Sequence, residues 1–321
     1  MARRLKCKFC ENEPYIYLKE YRLFLCKEHF INWIEKYVLE TIKDFKMFSK
    51  NNKLLVCISG GKDSVALLSI LKSLGFKVYP FFINLGIEKN DFSKKSLKVV
   101  ERVCKILNLP LYIYDVKGIL NYSPFEIAKA LKRDEFCSIC GTLKRYAMEM
   151  GARYFNADVI VTGHNLNDET ENLLLNVLNW KLTYLARQGP VLKEEKGFKR
   201  KVKPLFKLKE RYLYFYVKAK NLPFLEEKCP YSIGASRYIY RKALNFIEEN
   251  MPGTLLRFYL EFLKKAKPIF ENLFKNEEEK KLHPCKRCSY PTSRDDYCLI
   301  CSYLDKTKAF FEKRVSEKED K

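Results

Sequence analysis

The sequence predicts an α/β fold, a parallel sheet with helices on both faces, flanked at each end by a small metal-binding unit. Three observations carry this expectation. Short apolar runs alternate with helical periodicity, a glycine-rich turn follows the first run, and a four-ligand Cys/His set lies near each terminus. The runs are Leu54-Leu55-Val56-Cys57-Ile58, Val78 to Ile83, Leu111 to Tyr114 and Val159 to Val161. Runs this short without polar alternation suit strands buried on both faces. Between them, Val65 to Leu74 and Leu97 to Leu107 carry a helical pattern, and segment 93–107 bears Lys and Arg on its open face. Upstream, Phe30, Ile34, Tyr37, Val38, Ile42 and Phe45 mark one stripe of a helix over 28–47. Downstream, 193–201 reads as an exposed basic loop, helices are expected at 208–220, 235–249 and 254–275, and a charged tail follows Cys301.

Charge narrows the partner class. Among 321 residues, 61 Lys and Arg outnumber 39 Asp and Glu, leaving a formal +22. Hydrophobic residues make up 47%, enough for a core, so a disordered polycation is excluded. No apolar run approaches the roughly 20 residues of a membrane span. Met1-Ala2-Arg3-Arg4-Leu5-Lys6 leads into cysteines and not an apolar stretch, so a secretory leader is not expected. A cytoplasmic protein that binds a polyanion, nucleic acid before membrane, is the reading that remains. Gln188 is the sole glutamine, which leans toward a heat-adapted surface.

Twelve cysteines are too few for a disulfide scaffold at this length, and their spacing reads as metal ligation. Cys7-x2-Cys10-x15-Cys26-x2-His29 offers three thiolates and an imidazole; Cys285-x2-Cys288-x9-Cys298-x2-Cys301 offers four thiolates. Each set is two knuckles, enough to close a tetrahedron around a structural zinc with no open position. Neither unit has a core of its own, so the metal would supply much of its folding free energy. Cys57 and Cys104 lie within apolar elements and read as buried core thiols.

Ser59-Gly60-Gly61-Lys62-Asp63-Ser64 follows the first apolar run and opens a helix. Paired glycines let backbone approach an anion, Ser59 or Ser64 can cap, and the free N–H groups with the helix dipole attract phosphate. The Walker pattern is absent. The hexapeptide resembles the PP-loop of the ATP pyrophosphatases, an adenine nucleotide alpha-hydrolase-like fold. That resemblance implies cleavage of ATP between its α- and β-phosphates and transfer of AMP to a carbonyl oxygen. Thr162-Gly163-His164-Asn165-Leu166-Asn167-Asp168-Glu169-Thr170-Glu171 is similar to the second motif of the tRNA-thiolating branch. A capping turn over Asn165 to Asp168 is compatible with that role.

Cys137-x2-Cys140 and the distant Cys229, before Pro230, are one ligand short of a structural zinc site. Three thiolates can hold a 4Fe–4S cluster and leave one iron open; a dithiol pair with Cys229 incidental is the other reading. If 137–150 is helical, Cys137, Cys140 and Lys144 share one face. PP-loop, cysteine trio and two terminal units together resemble the TtuA-type tRNA 2-thiouridine synthetases of the TtcA/TtuA family, which includes archaeal NcsA. The resemblance implies a cluster on Cys137, Cys140 and Cys229, catalytic roles for Lys144 and Asp168, and nucleotide contacts from Ser59, Gly60, Gly61, Lys62, Asp63, Ser64, Ile83 and Gly163. It implies Mg²⁺ on Asp63 or Asp168. It divides the chain into an N-terminal zinc finger (1–35), a PP-loop domain with a linking helix (36–250), a helical linker (251–280) and a zinc ribbon with tail (281–321).

The expected activity is adenylation of a tRNA uridine or ribothymidine at its C2 oxygen, then sulfur transfer. The T-loop ribothymidine is favoured over the anticodon wobble uridine. The sulfur would come from a ubiquitin-like thiocarboxylate carrier or free sulfide, and the family resemblance allows a homodimer. A lysidine-type enzyme would not need the cysteine trio. A non-enzymatic zinc RNA-binding protein would explain the charge but not 59–64 or 163–171.

Overall fold

The computed structural model describes residues 5–132, 136–195, 197–231, 237–274 and 282–319. Ile16–Leu18 (β1) and Leu23–Leu25 (β2) form an antiparallel hairpin over the first metal unit. Helix α1, Lys27–Asp44, starts one residue after Cys26 and buries Phe30, Ile34, Val38 and Ile42, the stripe read from the sequence. The α/β core follows in strict alternation: Leu54–Cys57 (β3), Lys62–Ser73 (α2), Val78–Asn84 (β4), Phe92–Ile106 (α3) and Tyr112–Asp115 (β5). Two short helices, Val116–Leu120 (α4) and Pro124–Ala130 (α5), lead to the long helix α6, Phe136–Tyr154. Val159–Thr162 (β6) runs into Leu166–Leu178 (α7) and Leu182–Arg187 (α8).

Beyond α8 the structure departs from the expected basic loop. Val191–Leu192 (β7) and Arg200–Val202 (β8) are strands, and β8 lies parallel to β6. Three residues with two charges carry too little periodicity to be read as a strand. They pair because β6 offers an open edge, and Val202 is buried there. Burial holds the Lys201 ammonium below the usual lysine range, against the pull of Glu149. Helices Glu210–Ala219 (α9) and Thr254–Glu261 (α11) fall within their expected spans, and Arg237–Asn250 (α10) runs one residue past its own. A π turn over Phe262–Ala266 joins α11 to Lys267–Leu273 (α12). His283–Pro284 (β9) and Pro291–Thr292 (β10) frame the second metal unit. The residues after Cys301, expected as a charged tail, continue as helix Leu299–Glu319 (α13).

The described residues build a six-stranded sheet in the order β5-β4-β3-β6-β8-β7, parallel except for the edge strand β7. Alternation along the strands sorts the core. Leu54, Val56, Val159 and Val161 pack toward α1, α2, α7 and α9, while Leu55, Phe81 and Ile160 pack toward α5 and α6. Strand order reverses between β3 and β6, and in open α/β sheets the crevice beyond such a reversal is where ligands bind. Both sequence motifs leave the sheet at that point.

One buried ion pair braces this architecture. Glu169 on α7 is fully buried and accepts from Lys203 Nζ at 2.7 and 2.9 Å and from the Tyr259 hydroxyl at 2.6 Å. Lys203→Met strands that carboxylate, and the expected loss is about 3–5 kcal/mol. Chemical denaturation checks it, and Lys203→Met with Glu169→Gln should recover part of the deficit.

Candidate active site and metal centres

The first turn of α2 is an anion cradle. Gly61 is its N-cap and makes no side-chain cap, so the leading N–H groups lack helical acceptors. Neither Ser59 nor Ser64 caps the helix, contrary to expectation. The Ser64 hydroxyl instead donates to Gly61 O at 2.9 Å and accepts from Ser59 N at 3.1 Å, tying the loop to itself. Gly60 has φ +86°, and a β-carbon there would stand 3.1 Å from Ser96 O. Gly163, after β6, closes the other wall: a β-carbon would meet the backbone of Asp63 and Ser64 at 3.1 Å. The two motifs therefore touch backbone to backbone. Ile83, half-buried, is the penultimate residue of the adjacent strand β4.

Asp168 forms the expected capping turn and an ion pair besides. Its Oδ2 accepts from Asn165 N at 3.1 Å and the Asn165 side chain accepts from Asp168 N, which completes a capping box. Its Oδ1 accepts from Arg241 Nη2 at 2.8 Å. Arg241 also reaches Glu171 at 2.8 Å and Glu210 at 3.4 Å, and Lys62 lies 3.3 Å from Asp63 and 3.6 Å from Glu210. Sequence reasoning missed Arg241 and Glu210. They lie in helices whose local pattern shows only amphipathicity, and their meeting with Asp168 is a product of packing. Asp63 differs from Asp168: its Oδ1 is buried without a hydrogen-bond partner. Burial pushes its carboxyl up to about 6, with Lys62 pulling down and Asp168 pushing up. An orphaned, buried carboxylate oxygen beside a phosphate cradle fits a divalent cation.

The internal cysteines come together. Cys137 is exposed and Cys140 buried one turn apart on α6, and Cys229 is half-buried. Burial pushes the Cys140 thiol up to about 12, Lys144 pulls it down, and Cys137 and Cys229 push it further, so all four share one neighbourhood. Cys137 Sγ donates to Tyr231 O at 3.4 Å. The segment carrying Cys229 is fastened to the phosphate loop: Leu225 N donates to Gly60 O at 2.8 Å, and Lys95 pairs with Glu227 at 2.9 Å. The trio is not drawn into a tight single-ion set like the terminal ones. Three thiolates without a fourth protein ligand are the donor set of a 4Fe–4S cluster with one open iron. A cation there would also offset the cost of a buried Cys140 thiolate. Of the two remaining thiols, Cys104 is buried as expected, whereas Cys57 is only half-buried, at the end of β3 near Lys201.

Both terminal sets close. Cys10 and Cys26 sulfurs lie 3.7 Å apart, and His29 Nδ1 lies 3.6 Å from Cys7 and 3.2 Å from Cys26. In the second set, Cys285–Cys301, Cys288–Cys298 and Cys288–Cys301 are separated by 3.8, 3.6 and 3.6 Å. Sulfurs about 2.3 Å from one tetrahedral zinc stand about 3.8 Å apart, so both sets fit that ion. The second unit packs on α6: the Tyr146 and Tyr290 rings stand 5.1 Å apart, and Arg153 reaches Gly197 O at 3.0 Å as well as Ser289 O.

A glycine-rich anion turn joined to a second loop at the reversal of a parallel sheet defines a nucleotide-using PP-loop domain. Comparison with known proteins agrees. A PP-loop domain model matches residues 32–246, and a model of the N-terminal LIM domain of the 2-thiouridine synthetase TtuA matches residues 6–31. The tRNA-5-methyluridine(54) 2-sulfurtransferase of Pyrococcus horikoshii is 40% identical over 299 residues, 93% of each chain. That of Thermotoga maritima is 41% identical over 309 residues, 95% of this chain and 98% of the relative. The U34-tRNA thiolase NcsA from Methanococcus maripaludis, solved with its 4Fe–4S cluster, superposes with a TM-score of 0.73 at 23% identity over 95% of this chain and 97% of that one, a shared fold. The chain belongs to the PP-loop family and, within it, to the TtuA-type tRNA 2-thiouridine synthetases.

Proposed function

We propose that this protein 2-thiolates a tRNA uridine, with the 5-methyluridine of the T-loop as its target, by ATP-dependent adenylation followed by sulfur insertion. The observation that supports the reading is the Leu225–Gly60 backbone bond, which ties the segment that carries Cys229, four residues on, to the phosphate loop. The target follows the names of the relatives above 35% identity.

The roles divide by chemistry. The α2 N-terminus and Lys62 hold the triphosphate and stabilise charge on departing pyrophosphate. Asp63, with its unpartnered oxygen, takes Mg²⁺ in preference to Asp168, both of whose oxygens are engaged. Asp168, held by Arg241 and the capping box, orients the uracil, and Lys144 neutralises charge on the adenylated base. Cys137, Cys140 and Cys229 would hold a 4Fe–4S cluster, which would supply sulfide to C2 in exchange for the adenylated oxygen that departs with AMP. That sulfur would come from free sulfide or a carrier thiocarboxylate, and each terminal ligand set would hold one structural zinc.

Pyrophosphate release that requires both ATP and tRNA, followed by 2-thiolated nucleoside in the digested tRNA, tests the reading. Release without tRNA, or thiolation of no nucleoside, overturns it. With a formal +22, tRNA affinity is expected to fall more than about tenfold between about 50 and 200 mM salt, measured by filter binding.

A further inference from the structure

Beside the exposed cysteine of the trio lies an aromatic surface that the chemistry above does not use. Phe136 and Tyr231 rings stand 4.5 Å apart, and Phe125 lies 5.9 Å from Phe136 and 6.3 Å from Tyr231. Phe125 is 56% exposed, and the other two rings are half-buried. Phe136 is the residue before Cys137, and the Tyr231 carbonyl accepts from the Cys137 thiol. Lys89 Nζ sits 5.4 Å from the centre of the Tyr231 ring.

This surface is built rather than accidental. The start of α5 is fixed by Pro124 and by a capping box between Ser123 and Glu126, so the position of Phe125 on the chain is determined. Behind it, Tyr122 stacks on Phe311 of α13 at 6.0 Å and 9°. Lys129 and Lys132, both exposed, follow on the same short segment. Solvated rings rimmed by cations are what single-stranded RNA selects, because every base has a π face and every nucleotide a phosphate. A pyrimidine whose C2 is to meet the trio must also leave the RNA stack, and a protein ring must replace its lost neighbour.

We propose that Phe125, Phe136 and Tyr231 form a base-stacking subsite that receives the extruded pyrimidine of the RNA substrate, or holds its ring as it enters, with Lys89 on the adjoining phosphate. The inference rests on the RNA-thiolation reading and assigns the substrate subsite within it.

The test uses the full-length, cluster-loaded protein and a tRNA with a fluorescent pyrimidine analogue at the thiolated position. Wild-type protein should change the analogue's emission on binding. Phe125→Ala should lose that change and lower kcat/KM for tRNA by about 5- to 100-fold, with iron content and the salt-dependence of RNA binding unaltered. Phe125→Trp should restore both. If Phe125→Ala gives the wild-type emission change and the wild-type kcat/KM, the subsite is wrong while the thiolation reading stands. If wild-type protein shows the emission change yet thiolates no tRNA, the thiolation reading fails and the stacking surface stands. If Phe125→Ala loses iron as well, the rings serve the cysteine trio, and the subsite is overturned.

Discussion

Cys229→Ser is expected to abolish thiolation and strip the iron, while leaving the fold and RNA affinity in place. Cys229 is half-buried in a segment held by the Leu225–Gly60 bond and the Lys95–Glu227 pair, neither of which involves its sulfur. Serine is nearly isosteric, so stability should change by less than about 1 kcal/mol, as for most substitutions that leave no cavity or buried charge. The loss in activity should be far larger. Outer partners of a metal site alone are worth about 10–100-fold, and removal of a ligand exceeds that. Iron content and visible absorbance after anaerobic reconstitution, with mass spectrometry of the product nucleosides, provide the measurement. Pyrophosphate release should persist, because the phosphate cradle lacks any contribution from this sulfur. A Cys229→Ser protein that keeps its iron and its activity would return the chain to an amine-using PP-loop reading. One that loses its fold would show instead that Cys229 is a core residue.

Local chemistry was legible and tertiary company was not. Ser59 to Ser64 carries its own geometry, because glycines, a lysine and a helix start are all contiguous, and the terminal ligand sets likewise declare themselves through fixed spacing. Both are local arrangements stabilised by backbone and ligand chemistry. β8 escaped notice because three residues, Arg200, Lys201 and Val202, gain strand geometry only from the edge of β6. Arg241 escaped because nothing on α10 distinguishes it from other basic residues until α7 and α9 bring Asp168, Glu171 and Glu210 to its three nitrogens. The choice between Asp63 and Asp168 for a cation turned on the same point. Sequence shows two carboxylates, and only packing shows that one already has partners on both oxygens.

Asp63→Asn separates stability from function at that carboxylate. The Asp63 side chain is about a quarter exposed, one of its oxygens is buried without a partner, and burial pushes its carboxyl up to about 6 from an ordinary value of 3.8. A carboxyl whose folded value is raised adds stability below its unfolded value near 3.8, and that contribution is lost as pH rises through about 6. At neutral pH the ionised group therefore opposes folding, by about 1–3 kcal/mol. Asparagine keeps the shape and removes the charge, and Lys62 retains Glu210 at 3.6 Å. Asp63→Asn should unfold at a higher temperature than wild type at pH 8, by several degrees, with the gap closing as pH falls from about 6 to 4. Pyrophosphate release should drop at least about hundredfold, since a neutral amide is a poor Mg²⁺ ligand, and excess Mg²⁺ should recover only part of it. Equal melting of the two proteins at pH 8 would mean that the carboxylate is solvated or paired in solution. Unchanged pyrophosphate release would move the cation to another oxygen, with Glu210 the nearest remaining carboxylate to Lys62.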